Sequence, residues 1–382
     1  NYMWTKYEPW SWLLVNILLH MANTVIIYIG ISHITGRSRI ALFSAIIFAV
    51  HPINTETVNY INCRSESLTA LFMLLCMYFF TRSLQTRSMR QRVFGFMFFG
   101  MGLLTKELAI TLPATLFLID FLLVKPSEED EIPWKRRIIG WYVPLVAIVA
   151  VYMLYRHIVL ETLVVERTVR PISDNLLIQA RVLMSYIRLL FLPLHQNISY
   201  ENNAMLLKFA EFQRNFLYGG GIFPSVLGVL ALAGAGIYWI RKHPFISFII
   251  GNFFVVLSIT SIVPLNAIMN EHRLYLPSMG AALLMGGLLA KVSEFYNEKM
   301  GRRNGWPPLV QFLGLAIVFV FVCLTVYRNY SWRTDYTVWT DAAWKSPTKA
   351  QVISDLGNAF YRGGRALTPR GKYGIDGKVD KA

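Results

Sequence analysis

The chain is short of acid, of cysteine and of charge inside its long apolar stretches. Among 382 residues there are 22 acidic side chains against 37 basic ones, and only three cysteines. Charged residues make up 15% of the total against 55% hydrophobic, and the mean hydropathy is +0.44. Such values exclude an ordinary soluble domain and describe a polytopic membrane protein. Three cysteines exclude a disulfide scaffold: Cys76 and Cys323 lie in apolar runs, Cys63 stands alone in a polar loop, and no CxxC pair offers a metal or redox site. Polar breaks in paired halves, the mark of a transporter, are also lacking. His20, Asn23 and Asp120 have no repeat partners and read as hydrogen-bonded helix contacts.

What is present is a succession of apolar runs, at about 11–33, 38–50, 66–81, 93–105, 108–124, 138–160, 219–240, 244–266, 277–291 and 309–327. Each can cross a hydrocarbon core of about 30 Å, the shorter ones with tilting or local thinning, so about ten crossings are expected. The connections at one end carry Arg37 and Arg39, then Arg82, Arg87, Arg90 and Arg92, then Lys125 and Lys135–Arg137, then Arg241 and Lys242, and finally Lys291, Lys299, Arg302 and Arg303. Lys and Arg in short loops stay in the cytoplasm, so this end faces inward. The net charge of +15 therefore reports orientation and anionic lipid, not nucleic-acid binding. Trp4, Trp10, Trp12, Trp134, Trp141, Trp239, Trp306 and Trp332 fall near run ends, as an aromatic belt would place them.

The alternation puts Asn1 and the segment after Trp332 on the outer side, and a further crossing is expected before Asn1. Leu176–Leu194 is apolar, but the flanking basic signals allow only an even number of crossings between Leu160 and Gly219. Arg181 and Arg188, seven residues apart on one helical face, favour a helix at the outer surface over a spanning one. Two short crossings with a cytoplasmic turn at LPLHQNISYENN are the alternative. After the last run, WRTDYTVWTDAAWKSPTKAQVISDLGNAFYRGGR has the look of an entry into a tetratricopeptide array, and the pattern stops at about Arg365. The expected division is a membrane domain over 1–332 and the start of an outer-side helical-repeat region over 333–382.

The short outer connections around 51–65, 105–107 and 267–276 carry only Arg64, Lys106 and Arg273 as cations, and topology does not require them. HPINTETVNYINCRSES holds Glu56, Arg64 and Glu66 between two helices, where a capped, solvated turn is the plain alternative. Lys106 and Glu107 sit in the middle of a long apolar stretch, where an ionisable pair is costly and points to function, or else to an ion pair bracing a hairpin. NEHRLYLPS places Glu271, His272 and Arg273 before Pro277, where a helix can start.

At these residues the chain resembles a known family. HPINTETVNYINCRSESL is similar to a loop of the form HP-x-H-TE-x-V…GRAD-L, LLTKELAITLPA to AKEQGITVL, and EHRLYLPSMG to ERVLYLPS-G, all three from the transmembrane and tetratricopeptide-repeat O-mannosyltransferases and their bacterial relatives. The motifs keep the family's order, and the resemblance runs from about Trp10 to Gly364. It departs at Asn54, where the family has a second His, and at Ser65–Glu66, where the family acid is reached by a different residue. The resemblance implies an all-α GT-C type membrane fold with a polyprenyl-phosphate-linked sugar as donor and a protein hydroxyl as acceptor. In the wider class the general base comes from the first outer loop, which here would precede Asn1.

That chemistry needs cations on the departing phosphate and a carboxylate for the acceptor proton. Arg64 and Arg273, with Lys106 and His272, are the expected phosphate ligands. Glu56 and Glu66 are the candidate catalytic carboxylates, as substitutes or helpers for the upstream base, and Glu107 and Glu271 would orient the cations. No metal site and no cofactor beyond the lipid-linked donor is indicated. The expected location is a bacterial inner membrane with periplasmic outer loops, or an endoplasmic reticulum membrane with a lumenal C-terminus. The competing reading is a non-catalytic membrane anchor that docks a partner through its outer helices.

Overall fold

The computed structural model describes residues 9–124, 133–159, 170–200, 222–300 and 305–366, and their regular structure is all helical, with no strand among them. The expectations for Trp4, for Lys125, Arg302 and Arg303, and for the tail beyond Ala366 lie outside the described residues. The helices are α1 (Pro9–Thr35), α2 (Ser38–Val50), α3 (Thr55–Asn59), α4 (Arg64–Thr86), α5 (Met89–Thr105), α6 (Leu112–Leu122), α7 (Trp134–Val159), α8 (Ile172–Phe191), α9 (Ile222–Tyr238), α10 (Pro244–Ile262), α11 (Tyr275–Lys299), α12 (Pro308–Ser331), α13 (Asp335–Lys345) and α14 (Ala350–Ala366).

A helix stands at each apolar run. By length and composition, however, only α1, the stretch Ile61–Thr86, α7, α10, the stretch Glu271–Lys299 and α12 can each cross a membrane alone, and α2 with α3 makes a seventh if its 50° bend is counted within one span. The chain is an integral membrane protein, and by this measure six or seven crossings stand among the described residues, while α5, α6 and α9, each of 17 residues or fewer, fall below it. The bend follows from Pro52, which disfavours helical geometry at His51 before it. The freed end is closed by side chains: the His51 imidazole accepts from the Ile53 amide at 3.1 Å, and the Asn54 amide donates to Phe48 O at 2.8 Å.

Turns at the opposite end depend on left-handed backbone. Gly36 at φ 67° ends α1, and Arg87 at φ 53° reverses the chain between α4 and α5. Helix contacts are close where the sequence is small. A Cβ on Gly286 would sit 2.5 Å from Ser44 Oγ, and one on Gly95 2.5 Å from the Trp141 ring, so α11 packs tightly on α2 and α5 on α7. Trp141 is therefore no interfacial belt residue: it is 1% exposed and donates to Ser83 Oγ at 3.0 Å. Inside the bundle, Asp120 accepts from Arg137 at 2.6 Å and from Tyr142 at 3.0 Å. His20 and Asn23 bond to Tyr275 OH at 2.8 and 3.0 Å, which matches the helix-contact reading of all three.

The two ends of the bundle differ in chemistry. At one, Arg37 pairs with Glu294 at 2.7 Å, and Asn297 donates to Gly305 O at 2.7 Å. At the other, the polar segments around His51, Lys106 and Glu271 gather, with α13 and α14 folded over them. Helix α8 lies across this second end. Its apolar face, Ile178, Val182, Tyr186 and Leu189, packs with Ile53, Leu274 and Phe253 in a separate core. Leu190 O takes a hydrogen bond from His51 Nε2 at 2.9 Å. Arg181, expected to face outward from a surface helix, is buried instead, because this face of α8 is covered by the neighbouring helices. Helices α13 and α14 form an antiparallel pair closed by Val338, Ala342, Val352 and Ala359, and Thr334 caps α13 in a reciprocal pair of bonds with Thr337.

Candidate functional site

Four segments far apart in sequence bring ionisable groups to one place. The first is the bend after α2. With the helix broken at His51–Pro52, the five-residue α3 turns inward and Glu56 is only 3% exposed. The second is the first turn of α4, where Glu66 is 4% exposed and its carboxylate is favoured by the positive end of the helix. Lys106 supplies the third. Its extended backbone, φ −160° and ψ 144°, interrupts the apolar hairpin between α5 and the turn Glu107–Thr111, and its ammonium forms an ion pair with Glu66. The fourth is the turn Glu271–Leu274 that opens α11.

His272 joins the two carboxylates. Its Nδ1 lies 2.7 Å from Glu56 Oε1 and its Nε2 3.6 Å from Glu66 Oε1. The Glu271 amide donates to Glu56 Oε2 at 3.1 Å. The result is a continuous polar line, Glu56–His272–Glu66–Lys106, whose carboxylates are buried and whose lysine and histidine are partly open to solvent, 27% and 17% exposed at the side chain. A buried carboxylate without compensation is costly, and here Glu56 is met by His272 and the Glu271 amide and Glu66 by Lys106.

Glu271 has a different neighbourhood from the one expected. It is fully buried and accepts from the Asn197 amide and Tyr200 OH, each at 2.5 Å, and from Gln196 Nε2 at 2.9 Å. Burial and the adjacent Glu271 charge push the Tyr200 hydroxyl well above its ordinary range, so it stays a donor. The left-handed His195, φ 59°, turns the chain so that these three donors face one carboxylate. The same segment is held from above. Lys345 donates to Gln196 O at 2.7 Å, Asn197 Nδ2 to Ser346 Oγ at 2.9 Å, and Lys349 to Ser199 Oγ at 2.8 Å, while Asp341 pairs with Arg328 of α12 at 2.6 Å. Helices α13 and α14 are thereby fastened to the segment that holds Glu271.

Of the residues singled out from sequence, Glu56, Glu66, Lys106 and His272 meet directly, and Glu271 adjoins them. Arg64 is turned to α1, donating to Trp12 O at 3.0 Å and Asn16 Oδ1 at 3.2 Å, with its guanidinium 5.0 Å from the Trp12 ring. Arg273 donates to Ile268 O and Ala267 O at 3.1 and 2.9 Å. Tyr186 lies within electrostatic reach of both Arg273 and Glu56, so Arg273 borders the cluster. Glu107 is exposed and makes no ion pair among the described residues: the lysine beside it reaches back to Glu66 instead. Asn54, which departs from the family's histidine, is buried in a structural role, closing α2 and accepting from Ser278 Oγ at 3.2 Å. Sequence reasoning missed Gln196, Asn197, Tyr200, Arg328 and Arg170. The last donates to Leu265 O at 2.6 Å, and its guanidinium feels both burial and the charge of Arg273, which depress its proton affinity. The polar run HQNISY was the only signal for Gln196, Asn197 and Tyr200.

Comparisons with known proteins find similarity to one group of enzymes. A family model described as dolichyl-phosphate-mannose-protein mannosyltransferase matches residues 5–157. The chain is 23% identical to protein O-mannosyl-transferase TMTC3 of Mus musculus over 398 residues, covering 94% of this chain and 41% of that protein. It is 34% identical to protein O-mannosyl-transferase TMTC2 of Mus musculus over 113 residues, 28% of this chain and 13% of that one. Against protein O-mannosyl-transferase F38B6.6 of Caenorhabditis elegans it is 20% identical over 380 residues, 94% of this chain and 49% of that one. The chain thus spans less than half the length of these relatives, and no solved structure matches it significantly. With the three polar motifs meeting in one cluster, the chain is similar in sequence to the TMTC-type protein O-mannosyl-transferases and, over its first 157 residues, to the dolichyl-phosphate-mannose-protein mannosyltransferase family.

Proposed function

We propose that this chain is the membrane-embedded part of a glycosyltransferase that moves a sugar from a polyprenyl-phosphate-linked donor to a protein hydroxyl at the outer surface, periplasmic or lumenal. The observation that carries the proposal is the meeting of Glu56, Glu66, Lys106 and His272, from three separate motifs, at one end of the bundle. Lipid donor and soluble acceptor can both reach such a place. In the transfer, the acceptor oxygen attacks the anomeric carbon, the bond to the phosphate oxygen breaks, and the acceptor proton passes to a carboxylate. Lys106 and Arg273, with Arg170 beside the latter, supply positive charge for the departing phosphate. Because Lys106 already neutralises Glu66, Glu56 with His272 is the better proton acceptor of the two. Arg64 serves the donor only if it leaves Trp12 and Asn16.

The wider picture belongs to the same proposal: about ten crossings, a membrane domain over 1–332, a tetratricopeptide-like region from 333 that meets the acceptor, and a bacterial inner membrane or endoplasmic reticulum location. The test is turnover of a panel of polyprenyl-phosphate sugars by the full-length protein purified in lipid, with Glu56→Gln, Lys106→Ala and His272→Gln as variants. Transfer that falls about a hundredfold in each folded variant supports it. Undiminished transfer in the folded triple variant refutes the site. No transfer with any donor, together with partner capture that is lost on disrupting α14, supports the anchor reading instead.

A further inference from the structure

We infer that Glu56, Cys63 and His272 form a binding site for one divalent transition-metal ion of the zinc type. A carboxylate oxygen of Glu56, the Cys63 sulfur and an imidazole nitrogen of His272 all lie within 4.8 Å of one another. Four-coordinate zinc with bonds of about 2.0 Å to N and O and about 2.3 Å to S separates its ligands by roughly 3.3–3.5 Å, so on loading the Glu56 oxygen and His272 Nδ1, now 2.7 Å apart, open by about half an ångström as the ion replaces their shared proton, and the Cys63 sulfur draws in from within 4.8 Å. The donor set, one thiol, one imidazole and one carboxylate, suits zinc or cobalt better than magnesium or calcium.

The surroundings favour an ion as well. Glu56 and Cys63 are 3% and 4% exposed. Among the described residues the only ion-pair partner of the Glu56 carboxylate is His272, which carries charge only when protonated. A cation between them would compensate that buried charge and draw the Cys63 proton off, since burial and the nearby Glu56 and Glu66 otherwise keep the thiol neutral. The second imidazole nitrogen is already directed: Nε2 of His272 faces Glu66 Oε1 at 3.6 Å, and Glu66 is held by Lys106. A carboxylate behind a metal-binding histidine fixes the ring and raises its basicity. Three protein ligands leave a fourth position for an oxygen, from water or from a bound substrate. Sequence spacing hides this set because its members come from α3, the turn before α4 and the turn before α11. An ion held here occupies the Glu56–His272 pair assigned above to the acceptor proton, so in the loaded protein that proton would pass to an oxygen at the fourth position; this use rests on the proposed glycosyltransferase function, whereas binding is a property of the three side chains.

The experiment uses the full-length protein, reduced and stripped of metal, titrated with Co²⁺ and then Zn²⁺. One equivalent of Co²⁺ should bind with the intense visible bands of a four-coordinate ion and a thiolate-to-cobalt charge-transfer band, and Zn²⁺ should displace it. Cys63→Ser should abolish the charge-transfer band, Cys76→Ser and Cys323→Ser should leave it, and Glu66→Gln should weaken binding about 10–100-fold. Should Cys63→Ser fail to fold, the unmodified chain suffices: Zn²⁺ should slow alkylation of Cys63, mapped by mass spectrometry, and leave Cys323 unaffected. No stoichiometric uptake, a charge-transfer band that survives Cys63→Ser, or unslowed alkylation of Cys63 overturns the site. These readouts need no sugar transfer, so a protein that binds the ion but transfers nothing refutes the proposed function alone.

Discussion

Replacing Lys106 with Met removes the one cation paired with Glu66 while keeping most of the side-chain volume. Glu66 is 4% exposed, and stripping the partner from a buried pair costs about 3–5 kcal/mol where water cannot enter. Lys106 is 27% exposed, so water reaches the gap and Glu66 can take up a proton or lean on His272. The expected loss of stability is therefore nearer about 1–3 kcal/mol. Glu66→Gln alone should cost about 1 kcal/mol, because the partly exposed ammonium regains water. The double variant Lys106→Met with Glu66→Gln should then be more stable than the two losses added together predict, by about 1 kcal/mol of coupling. Activity separates bracing from chemistry. If Lys106 stabilises the departing phosphate, sugar transfer falls about a hundredfold in Lys106→Met and in the double variant alike, while Glu66→Gln alone keeps far more of it. Thermal unfolding in lipid and a transfer assay on the same preparations measure both. Transfer that only tracks stability across the three variants would show that Lys106 only braces Glu66, and strictly additive stabilities would refute the pair itself.

Arg64→Ala should lower stability by about 0.5–1 kcal/mol through its lost contacts with Trp12, and should reduce transfer far less than Lys106→Ala does; equal losses of transfer, measured side by side, would return Arg64 to the donor. Arg137→Met leaves Asp120 buried without its cation and should destabilise by about 3 kcal/mol or more, seen as a drop in unfolding temperature in detergent, while Arg137→Met combined with Asp120→Leu should recover most of it. Glu271→Gln sets an amide against the three donors that converge there and should cost about 1–3 kcal/mol. Limited proteolysis should also cut the α12–α13 connection sooner in that variant, because the Gln196–Tyr200 segment that anchors α13 loses its own anchor.

The apolar runs determined where the helices stand, and the basic residues at 37–39 and 82–92 marked one end of the bundle, because runs of this kind have few other ways to satisfy their backbone in lipid. The local motifs likewise marked Glu56, Glu66, Lys106 and His272, but together with Arg64, Arg273, Glu107 and Glu271, since ionisable residues between apolar helices are expensive and all stand out alike. Pairing was not legible. Lys106 reaches Glu66 and not its neighbour Glu107 because the backbone at Lys106 is extended, and Arg64 turns from the cluster because Trp12 and Asn16 of α1 offer it a face and an acceptor. Gln196, Asn197 and Tyr200 carry no motif at all. Their role exists only because His195 turns the chain and α13 presses it down on Glu271. Sequence alone thus determined which residues could not rest in lipid, a cost set by each side chain's own chemistry. Which of them satisfy one another was decided by tertiary packing, because a hydrogen bond is a matter of distance and direction between segments that are remote along the chain.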